Sequence, residues 1–226
     1  MLAPQLGWAP DDRYIVQTTD RSCVGERRLA HGSSALASEP QASFATIGGQ
    51  TSVPYGWVDF CGRRPEACHV PRLPPVDVRL SAGSWKMLDQ VNRQVNASIQ
   101  PVSNLDHWGT LLDHWDYPVD GKGDCKIYAL YKRKLLLDEG FPRQGLLITI
   151  VYDLQGEGHT ILTVKTDRGE FILDNLSNAI RPWNAPGYRF VKRQSQEDPN
   201  QWVSIIDQGT TASLDRHGLA AVLGQN

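Results

Sequence analysis

The chain has 226 residues, enough for one domain with a substantial core, and 23 basic side chains against 25 acidic ones leave a net charge of −2. With no basic excess there is no electrostatic footprint for nucleic acid, and with no run of about 18 apolar residues there is no membrane span. A soluble globular protein is expected.

Residues 1–50 are rich in Ser, Ala, Gly, Gln and charge without sustained periodicity, and are expected to be extended or poorly ordered. Within them Ala35-Leu36-Ala37 has the small-x-small look of a signal-peptidase site. Arg27, Arg28 and His31 stand where the apolar stretch of a leader belongs, so the match is read as chance. The organised domain is expected over 51–210, followed by a tail at 211–226.

Four cysteines, Cys23, Cys61, Cys68 and Cys125, are too few for a disulfide scaffold and lack the CxxC pairs of a zinc site. Cys61 and Cys68 bracket a short polar segment containing Pro65. They are either a disulfide, as suits an exported protein, or two ordinary thiols.

From Ser81 to Ile99 the residues Trp85, Leu88, Val91, Val95 and Ile99 recur at three and four residues, which predicts an amphipathic helix capped by Ser84 and ended by Pro101. Asn96-Ala97-Ser98 matches a glycosylation acceptor but falls inside that helix. The stretch 104–120, with His107, Trp108, His114 and Trp115, reads as a folded loop, and loops of that length are often functional. Its Asp106, His107, Asp113, His114 and Asp116 invite a metal reading. The HExxH spacing is absent, and a hydrogen-bonded loop packed by Trp108 and Trp115 explains the same residues, so no metal is expected.

Next, Asp124 to Glu139 carries a broad apolar face stopped by Gly140 and Pro142, predicting a second helix that carries Cys125 among its first residues. Afterwards the period changes to two. Strands are expected at 146–151, 159–166, 170–174, 188–193 and 202–206, with turns at Gly156-Glu157-Gly158 and Asp167-Arg168-Gly169. Helices first and an antiparallel sheet afterwards make an α+β architecture.

A thiol at a helix start meets unpaired backbone N–H groups and a positive dipole end, which favour the thiolate. Partners follow from hairpin arithmetic. If Asp167 and Arg168 form the loop, Thr166 opposes Gly169 and Ile161 opposes Asp174, so His159 and Asp174 are diagonal neighbours on one face. Packing the helix start against that face would give a nucleophile (Cys125), a base and acid (His159) and an orienting carboxylate (Asp174). Backbone N–H groups at the helix start would meet the oxyanion, with Trp115, Asp124 and Asn175 as further oxyanion or substrate-positioning candidates. Taken singly, the three residues read as a small buried hydrophobe, a bonded hairpin histidine and a strand-end aspartate.

The strings GDCKIYALYKRKLLLDEGFP, GEGHTILTVKTDRGEFILDN and YRFVKRQSQEDPNQWVSI, preceded by YGWVDFCGRRPEACHV and VNRQVNASIQP, resemble the bacterial transglutaminase-like cysteine peptidase family over Ser52 to Ile206. The resemblance implies a papain-like or transglutaminase-like fold, the same Cys125, His159 and Asp174 triad, a protein or peptide substrate at the cell surface or secreted, and a periplasmic or secreted location with the leader absent from this chain, a cytoplasmic one being the alternative. In its best-understood branch, acidic residues associated with calcium follow the cysteine directly. Here Lys126 and Ile127 stand there, which removes oxygen ligands, so no cofactor is expected. The expected activity is thiol-peptidase hydrolysis through an acyl-enzyme. The alternatives are a transglutaminase-type acyltransferase or amidase with the same triad, and a non-catalytic peptide-binding module.

Overall fold

The computed structural model describes residues 40–206. The Ala35-Leu36-Ala37 motif, Cys23 and the tail at 211–226 lie outside the described residues.

Strand β1 (Thr46–Thr51) is followed by two short helices, α1 (Tyr55–Arg63) and α2 (Pro65–Cys68), and by the long α3 (Ala82–Ser98). Next come β2 (Gln100–Pro101), the one-turn α4 (Asn104–Trp108), β3 (Lys122–Gly123) and α5 (Cys125–Asp138). The rest is strand: β4 (Leu146–Tyr152), β5 (Gly158–Thr166), β6 (Gly169–Asp174), β7 (Ser177–Pro182), β8 (Arg189–Gln194) and β9 (Trp202–Ile206). Seven strands form one antiparallel sheet in the order β1-β9-β8-β4-β5-β6-β7. The α+β class is therefore what the structure shows.

Several boundaries differ from those expected. β1 lies inside the segment assigned to 1–50. Its TIGGQT sequence hides a strand behind two glycines, and pairing with β9 creates it. The α3 cap is Ser81 rather than Ser84, and the two form a capping box in which each side chain bonds the other's backbone N–H. The 104–120 loop begins with a helical turn, closed by Gly109 in the left-handed region at φ 66°.

Alternation sorts the sheet's side chains onto two faces. Leu146, Ile148, Ile150, Leu162, Val164, Phe171 and Leu173 pack with Leu88, Val91 and Val95 of α3, Ile127 and Leu130 of α5, and Trp57 and Phe60 of α1. The opposite face carries Val151, Ile161, Ile172, Trp183 and Phe190. There Glu170 and Arg193 form a buried two-pronged ion pair at 2.6 and 3.1 Å, and residues 42–43 hydrogen-bond along β6. The short parallel pair β2·β3 ties the end of α3 to the start of α5, so that the 102–121 loop is extruded beside Cys125.

Candidate active site

The β5–β6 hairpin has the register that the turn residues dictate. Thr166 opposes Gly169 and Leu162 opposes Leu173, which sets Ile161 across from Asp174 and His159 on the diagonal. His159 Nε2 lies 2.9 Å from Asp174 Oδ1. Asp174 is fixed from three further directions, two at its carboxylate and one at its backbone carbonyl. Leu176 N–H donates to Oδ1 at 3.0 Å, the Tyr188 hydroxyl donates to Oδ2 at 2.7 Å, and Asn96 Nδ2 of α3 donates to the Asp174 carbonyl at 2.9 Å.

Burial alone would raise the Asp174 carboxyl, but the His159 charge and hydrogen bond, joined by Leu176 and Tyr188, outweigh it and hold the group well below the usual carboxylate range. Burial and the neighbouring Asp174 charge push the Tyr188 hydroxyl up in turn. The Tyr188 ring also meets the His159 ring edge to face, with centroids 5.7 Å apart.

Cys125 is the first residue of α5, behind Asp124 as N-cap, whose Oδ1 accepts from Lys126 N–H at 3.2 Å. Gly123 allows the close approach of the helix, since a Cβ there would lie 2.6 Å from Ile127 Cγ2. The end of α3 links this first turn to the acid. Asn96 holds the Asp174 carbonyl, and three residues later the Ile99 carbonyl accepts from the Tyr128 hydroxyl at 2.6 Å.

The helix packs on the Leu162 and Leu173 face, whereas alternation sends His159 and Asp174 to the other. The body of α5 thus lies on the face opposite the one that carries His159 and Asp174. Cys125 is 2 % exposed against 1 % for His159 and 3 % for Asp174. The structure therefore joins His159 to Asp174 directly and encloses the cysteine.

The remaining candidates have the following surroundings. The Trp115 indole packs among Trp57 and Trp202 in a space that a side chain on Gly56 would fill, and its N–H donates to Asp113 Oδ2 at 2.7 Å. The Asp124 side chain caps α5 and accepts from Lys126 N–H. Asn175 is buried in the two-residue turn between β6 and β7.

In the loop, Asp106 bonds Ser103, His107 bonds Asp120, and Asp116 is held by Arg63 and Arg64. The His107, Trp108 and His114 rings stack with centroids 4.0 and 4.4 Å apart. Among the described residues no group of three or more metal-ligating side chains is gathered. Calcium does not fit beside the cysteine either, because Asp113 Oδ1 and Asp124 Oδ2 both close on the Lys126 ammonium, at 3.1 and 2.5 Å.

Cys61 and Cys68 are joined as a disulfide with Cα atoms 5.5 Å apart. Asn96 is fully buried, which removes the glycosylation match. Sequence reasoning missed Tyr188, seen only as the head of a strand, and the pair Asn92 and Asn96, of which Asn92 Nδ2 donates to the Ser177 and Asn178 carbonyls just after Asp174. Their spacing of four on one helix face was a usable signal.

Solved structures of Legionella pneumophila LapG are similar to this chain. The calcium-bound form is 24% identical with a TM-score of 0.46, covering 59% of this chain and 80% of that one. The EGTA-treated form is 25% identical with a TM-score of 0.45, covering 58% and 76%. No curated protein matches the chain. A family model described as bacterial transglutaminase-like cysteine proteinase (BTLCP) matches residues 47–210, an interval that runs from β1 through β9 and contains Cys125, His159 and Asp174. The chain therefore belongs to the bacterial transglutaminase-like cysteine proteinase family and is a cysteine peptidase.

Proposed function

We propose that Cys125, His159 and Asp174 form the catalytic triad and that the protein cleaves a peptide bond in a protein substrate through a thioester. The observation that carries this reading is the buried His159–Asp174 hydrogen bond, at the same end of the molecule as the first turn of the cysteine's helix. Because Asp174 takes Nε2, Nδ1 is the ring nitrogen that exchanges protons with the thiol.

The reduced thiol gives its proton to Nδ1, and the thiolate attacks the scissile carbonyl carbon. The imidazolium returns the proton to the departing amine, which leaves a Cys125 thioester. The imidazole then takes a proton from water, and the hydroxide releases the acid and regenerates the thiol. Backbone N–H groups at the start of α5 would supply donors to the tetrahedral oxygen. The Cys61–Cys68 disulfide supports export to an oxidising compartment, the periplasm or outside.

The test compares the secreted and surface proteins of bacteria that produce the wild-type protein or Cys125→Ala, reading new N-termini by mass spectrometry. Termini that appear only with the wild type are expected. A labelled primary amine is added in parallel. Its incorporation into protein in place of new termini, lost in Cys125→Ala, would overturn hydrolysis in favour of acyl transfer.

A further inference from the structure

Lysine in the first turn of a helix is electrostatically out of place, since the unpaired N–H groups there already carry positive charge. Lys126 nevertheless sits at the second position of α5 with its side chain only 8 % exposed. Its ammonium lies 2.5 Å from Asp124 Oδ2 and 3.1 Å from Asp113 Oδ1, one carboxylate on the helix cap and the other in the loop. The loop carboxylate continues the connection, because Asp113 Oδ2 accepts from the Trp115 indole and Trp115 is embedded in the core. A rigid path thus runs from the core through the loop to the residue beside Cys125.

We propose that Lys126 is a positioning residue that acts as a built-in cation: its ammonium bridges Asp113 and Asp124, clamps the loop to the nucleophile's helix and lets the site work without a divalent ion. A buried carboxylate, Asp124, and a half-buried one, Asp113, converging on one point need a positive charge between them. A divalent cation would supply it through oxygen ligands, whereas here a covalently tethered ammonium does so and excludes the metal. The same ammonium, carried by the residue after Cys125, offsets the negative charge of the two carboxylates that would otherwise disfavour the thiolate. In this role Lys126 touches neither substrate nor reacting atoms. Its function rests on the peptidase reading above.

The test uses the full chain after reduction and measures two rates at pH 7: iodoacetamide modification of Cys125, read by peptide mass spectrometry, and cleavage of a protein substrate. For the wild type, EGTA and added calcium are each expected to change both rates less than about twofold. Lys126→Met, which keeps the volume but not the charge, is expected to slow modification about tenfold, by analogy with the loss of one nearby cation, and to lower kcat with little change in KM. Lys126→Arg is expected to recover most of both. A wild type silenced by EGTA would overturn the proposal without any variant. So would a folded Lys126→Met that reacts like the wild type, or an Arg variant no better than Met. If Cys125→Ala still cleaves, the peptidase reading fails, while the modification rates still report on the clamp.

Discussion

The Tyr188 hydroxyl is the one donor to Asp174 Oδ2 among the described residues, and replacing Tyr188 by Phe removes that donor while leaving the ring against His159. A hydrogen bond to a buried carboxylate contributes about 1.5–3 kcal/mol. Tyr188 is only partly buried, so water can substitute from its outer side, and the expected loss is at the lower end, about 1.5 kcal/mol.

The sign with pH follows from the depressed Asp174 carboxyl. Its contribution is fully present above the unfolded value near 4 and is lost only as pH falls through the lower folded value. Tyr188→Phe raises that folded value toward the unfolded one. Urea denaturation of the variant should therefore show a deficit of about 1.5 kcal/mol that is the same at pH 7 and pH 5, both above the unfolded value. Peptidase activity should fall no more than about tenfold, the equivalent of that energy. A deficit below about 0.5 kcal/mol would refute the role given to the hydroxyl.

Glu170→Gln should destabilise the fold by about 3–5 kcal/mol in urea, because Arg193 is left as a buried charge, and Glu170→Gln with Arg193→Met should recover most of the loss. A single variant that costs under about 1 kcal/mol would contradict the buried pair. Replacing both Cys61 and Cys68 by Ser opens a loop with a sequence separation of 7 and should cost about 2 kcal/mol, seen as a lower denaturation midpoint at unchanged slope.

How much of this was legible beforehand depended on whether local chemistry or tertiary contact set each element. The β5–β6 register was readable because a tight turn at Asp167-Arg168 leaves one pairing, and that pairing carries His159 to Asp174. α5 was readable from its glycine-rich entry and its Gly140 stop, α3 from its period. By contrast β1 and β7 have glycines, Asn and Pro where β-formers would be expected, and they are strands because neighbours in the sheet complete their hydrogen bonds. α1 and α2 are short, and their Cys61–Cys68 link is a fact of folding.

Inside the proposed site Cys125, His159 and Asp174 could be named from order and spacing, but what surrounds them could not. Trp115 read as substrate-facing because the notch at Gly56 that receives its ring lies 59 residues earlier in the chain. Lys126 read only as the loss of an oxygen ligand because its second partner, Asp113, lies across a loop. The face to which α5 docks is set by tertiary packing, which strand periodicity does not encode.

The central claim is that reduced Cys125 is activated by His159. The most direct measurement is the pH dependence of Cys125 alkylation by iodoacetamide, after reduction, in the wild type and in His159→Ala. The account predicts a wild-type rate that stays high well below neutral pH, while in His159→Ala it falls with a midpoint moved toward that of a free thiol, about 8.5. A wild-type midpoint already near 8.5, unchanged by His159→Ala, would contradict it.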